Sequence, residues 1–241
     1  MRTISLAVII IFLAIISFSC TKRGTWGIKG EGNDISELRT ISGFSGIKLC
    51  CDANVMFVAD SVYRVEVTGQ KNILTVLETK LQGSDLSIDF KRNVWDHSSI
   101  SIVVHSPLMN KMQVSSSGKI TSQSTLTTSA LELVISGSGN ISVQTVSIQS
   151  LTSRINGSGS IRINEGTTSS ENFSISGSGS IQTEFVKATT SQVNISGSGN
   201  MYINVSDKLN VDISGSGSVY YHGKPSINFN VGGSGKVIGL D

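Results

Sequence analysis

The chain has 241 residues, of which 15% are charged, with a formal net charge of +2 and only two prolines. That balance gives no long-range electrostatic reason to bind nucleic acid or an acidic partner. Apolar residues that recur regularly among abundant Ser, Thr, Asn and Gly argue against a disordered tail and for a β-rich core assembled from many small increments.

The first segment reads as an address. Arg2 supplies a positive start, Ile4 to Ile16 is an almost unbroken apolar run, and Ser17-Phe18-Ser19 leads into Cys20. The run is shorter than the ~20 residues a spanning helix needs. It resembles a bacterial lipobox, with Ser17 where leucine is usual. That implies a signal peptide over 1–19, cleavage before Cys20, lipidation of Cys20 and attachment to a membrane. Residues 20–40 carry Gly24, Gly27, Gly30 and Gly32 with Trp26 and mixed charges and no period, which reads as a flexible tether. Beyond it lie Cys50 and Cys51. Neighbours in a strand face opposite sides, so a bond between them would be strained. One buried and one exposed thiol is the expectation.

From about Ile41 the pattern alternates. Val55/Phe57, Val62 with Val65/Val67, Leu86/Ile88/Phe90 and Ile100/Ile102/Val104 read as strands burying one face. Gln82 to Asp85 is a turn signal, and Asn72 to Lys80 is the one stretch with a hint of helical spacing. Pro107 cannot donate to a ladder and belongs at a strand end.

The remainder is a repeat. Ile135-Ser136-Gly137-Ser138-Gly139-Asn140 returns from Ile155, Ile175, Ile195, Ile213 and Val231, after a degenerate copy at Val114 with Ser116 for the first glycine. The second glycine falls at 118, 139, 159, 179, 199, 217 and 235, a period of about 20 residues that signals a coil of stacked units. From Leu131 to Val143 every odd position is apolar or glycine. Gly137 and Gly139 therefore face inward, as do their equivalents Gly157, Gly159, Gly177, Gly179, Gly197, Gly199, Gly215, Gly217, Gly233 and Gly235. Inward glycine suits a bend where backbone approaches too closely for a Cβ. The parity changes after Val143, at Asn164-Glu165-Gly166, at Asp207-Lys208 and at Gly223-Lys224-Pro225 mark corners. One repeat is then one turn of an all-β solenoid spanning 41–241, with the isoleucines in an inner column and Ser138, Ser158, Ser178, Ser198, Ser216 and Ser234 in an outer one.

Phe44 to Ile47, Asn54 to Phe57, Val65 to Val67, Leu86 to Ile88 and the serial Gly-Ser-Gly resemble the head GIN domain family of auto-transporter adhesins over about residues 41–238. The resemblance implies a right-handed parallel β-helix, an envelope lipoprotein of the kind common in Bacteroidetes, and adhesion with no established activity.

Residue chemistry adds little enzymatic. Strand-forming residues, not a helix start, follow each Gly-x-Gly, which removes the phosphate-cradle reading. The acids of the repeats, among them Glu132, Glu165, Glu171, Glu184, Asp207 and Asp212, show no paired arrangement for lyase or hydrolase work. His97, His105 and His222 lack metal-ligand spacing, so no metal and no cofactor are expected. Three residues past each second glycine runs the column Ser142, Arg162, Gln182, Tyr202, Tyr220, Ile238. Tyr202 and Tyr220 stand on adjacent turns as a candidate contact for a glycan or protein partner, or as a pair that stabilises the C-terminal turns. The expectation is a non-enzymatic envelope lipoprotein for adhesion or surface assembly. The alternatives are a carbohydrate-binding or polysaccharide-acting β-helix and an envelope scaffold or sensor. An uncapped last turn also allows a homo-oligomer.

Overall fold

The computed structural model describes residues 27–241. Cys20, Trp26 and the leader lie outside the described residues. The first strands are β1 (Ile28–Lys29), β2 (Asp34–Arg39), β3 (Gly46–Leu49), β4 (Asn54–Ala59) and β5 (Arg64–Gln70). A single helical turn, α1 (Lys71–Leu74), leads to β6 (Leu77–Gln82), β7 (Asp85–Phe90), β8 (Val94–Asp96), β9 (Ser101–Ser106) and β10 (Lys111–Val114). Then come long strands that each wrap most of a turn: β11 (Lys119–Ile135), β12 (Asn140–Gly157), β13 (Ser160–Gly177), β14 (Ser180–Gly197) and β15 (Asn200–Gly215). The last turn is β16 (Ser218–His222), β17 (Ser226–Gly232) and β18 (Lys236–Gly239).

These strands form a parallel β-solenoid of about six turns. Parallel pairing runs β7–β3–β10–β11–β12–β13–β14–β15, with β17 and β16 both laid on β15 and β18 on β16. At a strand spacing of about 4.8 Å, six turns make a rod on the order of 30 Å long. The register carries Ile135 onto Ile155, Ile175, Ile195, Ile213 and Val231, and the five isoleucines are buried. Burial of each contributes roughly 1.5–3 kcal/mol. No single turn closes a core by itself, so these increments count only when the turns are stacked.

The shortened period is absorbed at a corner. The pairing of β14 with β15 slips between Gln182 and Lys187 and again between Ala188 and Thr190, and is regular along the wall from Lys208 to Gly215. Two other corners are glycines with left-handed φ: +143° at Gly166 and +100° at Gly223. A Cβ at either would lie 2.1 Å from the carbonyl oxygen of Val146 or Val205 on the preceding turn.

The N-terminal end is closed. Antiparallel pairs β2/β5, β5/β9 and β6/β7 replace the parallel coil there, and α1 inserts Ile73 and Leu74 into the core. Several expectations are corrected here. The stretch from Ile28 to Arg39, inside the expected tether, forms β1 and β2, because pairing to β8 and β5 supplies partners its own sequence does not display. The expected helix over 72–80 is one turn followed by β6, whose partner β7 outweighs local spacing. Val62 is exposed in the turn before β5 instead of packing with Val65. Cys51 is the buried free thiol, pushed up to about 12 by burial with help from Asp89 and Asp52. Cys50 is half-buried, not exposed.

Candidate functional site

Both glycines of the repeated phrase are required, for different reasons. The first adopts left-handed φ in the later copies, from +127° at Gly177 to +142° at Gly233, a region that penalises any Cβ. The second, as at Gly159, has its missing Cβ 2.4 Å from the Gly139 carbonyl oxygen and 2.6 Å from Ile135 Cγ2. The bend thus seats each turn's backbone directly on the inner isoleucine of the turn before. Its amides are spent on that contact: Ser158 N–H donates to Gly137 O at 3.0 Å, Ser178 to Gly157 O at 3.0 Å and Ser198 to Gly177 O at 2.9 Å. In these copies the serine amide at the tip of the bend is not free for an anion, and the serine side chains form the outward, exposed column.

Tyr202 and Tyr220 are in register on β15 and β16, with Gln182 before them and Ile238 after. Their rings are stacked 4.8 Å apart at an interplanar angle of 9°. Both side chains are half-buried. The faces that would hold a sugar are turned toward each other, so edges and hydroxyls are what the pair offers outward. Tyr221 points the other way and packs against the core.

On the other side of the bend lies a groove of about 340 Å³, floored by Ile175, Ile195 and Ile213. Two outward columns line it: Ser174, Asn194, Asp212 and Asn230 on one side, Ser176, Ser196 and Ser214 on the other. Elsewhere the outward columns bond to themselves between turns. Asn164 donates to Gln144 at 2.8 Å and Thr145 to Glu165 at 2.8 Å. The groove columns make no such rungs among the described residues, which leaves their amides, hydroxyls and carboxylate available to a partner. Alternation shows which residues face outward, but it does not show which rungs close.

The histidines are structural. His105 is buried, with Nδ1 3.1 Å from Asp60 Oδ2 and Nε2 2.9 Å from an Arg64 guanidinium nitrogen. Arg64 can only donate, so Nε2 accepts and Nδ1 carries the proton toward Asp60. That occupies the nitrogen a general base would need. The Asp60 carboxyl is held below its ordinary range chiefly by the Val62 N–H, helped by His105. His222 pairs with Asp241 at 2.6 Å, and Asp241 also accepts from Gly223 N–H at 2.6 Å. Those contacts, His222 first, lower its carboxyl. Among the described residues no three His, Cys, Asp or Glu side chains converge as metal ligands.

One acid lies where alternation places hydrocarbon. Glu171 is in register with Leu151 below and Ser191 above, inside the coil, and is 3% exposed. Neither carboxyl oxygen has a hydrogen-bond partner, and Ser153 Oγ and Ser191 Oγ are likewise buried and unpaired. Burial pushes the Glu171 carboxyl well above the usual range, which favours the neutral acid. Adding the 20-residue period to Leu151 would have exposed this substitution.

A family model described as "Putative auto-transporter adhesin, head GIN domain" matches residues 43–225. No curated protein matches the chain. Among solved structures, a putative adhesin from Bacteroides fragilis superposes with a TM-score of 0.82 at 21% identity, covering 89% of this chain and 100% of its own. A putative adhesin from Parabacteroides merdae gives 0.73 at 22% identity over 89% of this chain and 99% of its own. A protein from Parabacteroides distasonis titled a putative lipid binding protein gives 0.74 at 22% identity over 90% and 100%. At these identities the likeness establishes the fold.

Proposed function

The chain belongs to the head GIN domain family, and from that membership and its wall geometry we propose that it is a non-enzymatic adhesion module of the cell envelope. It is held to a membrane by lipid on Cys20 and grips a polar partner surface, a glycan in the first instance, through the groove beside the Gly-Ser-Gly bends. The observation that carries this reading is the contrast between walls. Columns of Asn, Ser and Asp flank a groove of about 340 Å³ without bonding to one another, whereas polar columns at the corner are closed into rungs. Unpaired amides and hydroxyls set in a row at about 4.8 Å intervals offer donors and acceptors in series to a hydroxyl-rich chain laid across the turns. Tyr202 and Tyr220, across the bend, act as a second contact through their ring edges and hydroxyls.

Binding to a panel of immobilised envelope and host glycans tests the groove. Wild type should bind, and the combined variant Asn194→Ala, Asp212→Ala, Asn230→Ala should lose that binding while keeping the β-sheet circular dichroism of the parent. Retained binding would move the site off this wall, and turnover of any glycan would replace adhesion with catalysis. Tyr202→Ala with Tyr220→Ala should weaken binding less than the groove variant does. Mass spectrometry of the mature N-terminus tests the anchor: a thioether-lipidated Cys20 supports it, and an unmodified Cys20 or one held in a disulfide overturns it.

A further inference from the structure

The two ends of the solenoid are built differently. At the N-terminal end, edge strand β2 carries Asp34, Glu37 and Arg39 and edge strand β6 carries Glu78 and Lys80, the charges that ordinarily protect an open edge. Helix α1 covers the core there. At the C-terminal end, β17 reads Ser-Ile-Asn-Phe-Asn-Val-Gly with no charge. Its inward residues Ile227, Phe229 and Val231 stack on the buried Leu209, Val211 and Ile213, yet Phe229 is 61% and Ile227 37% exposed, and among the described residues β17 pairs with β15 alone. The last turn therefore displays both an unpaired row of backbone donors and acceptors and the cut cross-section of a hydrophobic core.

We propose that this end is a self-association surface on which β17 strands of two copies pair antiparallel about Phe229. The occupant follows from the strand itself. Ile227-Asn228-Phe229-Asn230-Val231 is palindromic in polarity. The register that sets Phe229 against its own symmetry mate sets Ile227 against Val231 and Asn228 against Asn230. A two-fold axis normal to the sheet at Phe229 keeps the apolar faces on one side, so the two cores run into each other and the asparagines meet outside. No like charges oppose each other along the strand. The closed N-terminal end removes head-to-tail stacking, so association stops at two. A seven-residue strand spans about 23 Å, and with a facing wall about 10 Å away the end presents roughly a few hundred Å². That is below the ~800 Å² per partner of a standard stable interface. The dimer is accordingly concentration-dependent and held as much by main-chain bonds as by apolar area.

Sedimentation of the full chain in detergent over a concentration series reads this directly. A monomer–dimer equilibrium is expected, and Phe229→Lys, which places two ammonium groups at the axis, should weaken it at least about tenfold. Phe229→Cys should form an intermolecular disulfide with itself. Asn228→Cys should cross-link to Asn230→Cys in a mixture and not to itself. A wild-type chain that stays monomeric at every concentration, a dimer indifferent to Phe229→Lys, or cysteine pairs that form without this register would each overturn the proposal. The readout needs neither the glycan groove nor the lipid, so its failure is separable from theirs.

Discussion

Single residues here are judged by what the neighbouring turn leaves room for. Gly137 has no left-handed φ and its missing Cβ is 3.0 Å from the Ser116 oxygen, whereas Gly157 has φ +140° and a carbonyl 2.4 Å away. Gly157→Ala should cost more stability than Gly137→Ala, by about 1–3 kcal/mol, and urea melts of the two variants would show the order. Glu171 obeys a different rule. Its carboxyl is raised in the folded chain and titrates near 4.3 when unfolded, so the folded state binds the extra proton between those two values. Its contribution to stability is therefore fully present below the unfolded value and is lost as pH rises through the raised folded one. Glu171→Leu, which continues the Leu151 and Leu209 column, should remove that slope and raise stability at neutral pH. Thermal melts at pH 4 and pH 8 would show it as convergence of the two curves. The Cys51 thiol, buried and pushed up to about 12, should react with a thiol reagent only on unfolding, with the reaction followed by mass.

An element of this fold is a wall shared by several strands, and its worth lies in the column it completes. Truncating Ile175, which sits between Ile155 and Ile195, leaves a void that both neighbouring turns line. Ile175→Ala should cost about 2–5 kcal/mol, measured by chemical denaturation. The corners carry the irregularity. Two residues are lost between the copies at 199 and 217, and the slip is confined to the turn between walls, because a slip along a wall would turn every inward side chain out.

At the scale of the molecule, contacts run almost entirely between adjacent turns, so stability declines toward the end that has one neighbour. Hydrogen exchange should be slowest in β12 to β14 and fastest in β17 and β18 at low concentration, and end pairing should slow β17 selectively as concentration rises. Two copies joined at their C-terminal ends carry their N-terminal ends at opposite poles of one rod. With the proposed lipid on Cys20, such pairs should bridge membranes. Vesicles bearing the wild-type chain should cluster, seen as a rise in turbidity, and those bearing Phe229→Lys should not.

The amino-acid sequence by itself determined the coil, its period, its corners and which side chains point in. Each of those depends only on near-neighbour alternation and on glycine recurring where a Cβ cannot fit, as Gly159 under Ile135 illustrates. It also put Tyr202 beside Tyr220. What only the tertiary structure decided is how neighbouring turns use their polar groups. Tyrosine faces are consumed in stacking, some outward columns close into rungs and others stay open, and β1 and β2 find partners 26 to 67 residues away. Those outcomes depend on distances across the stack, which alternation along one strand does not encode.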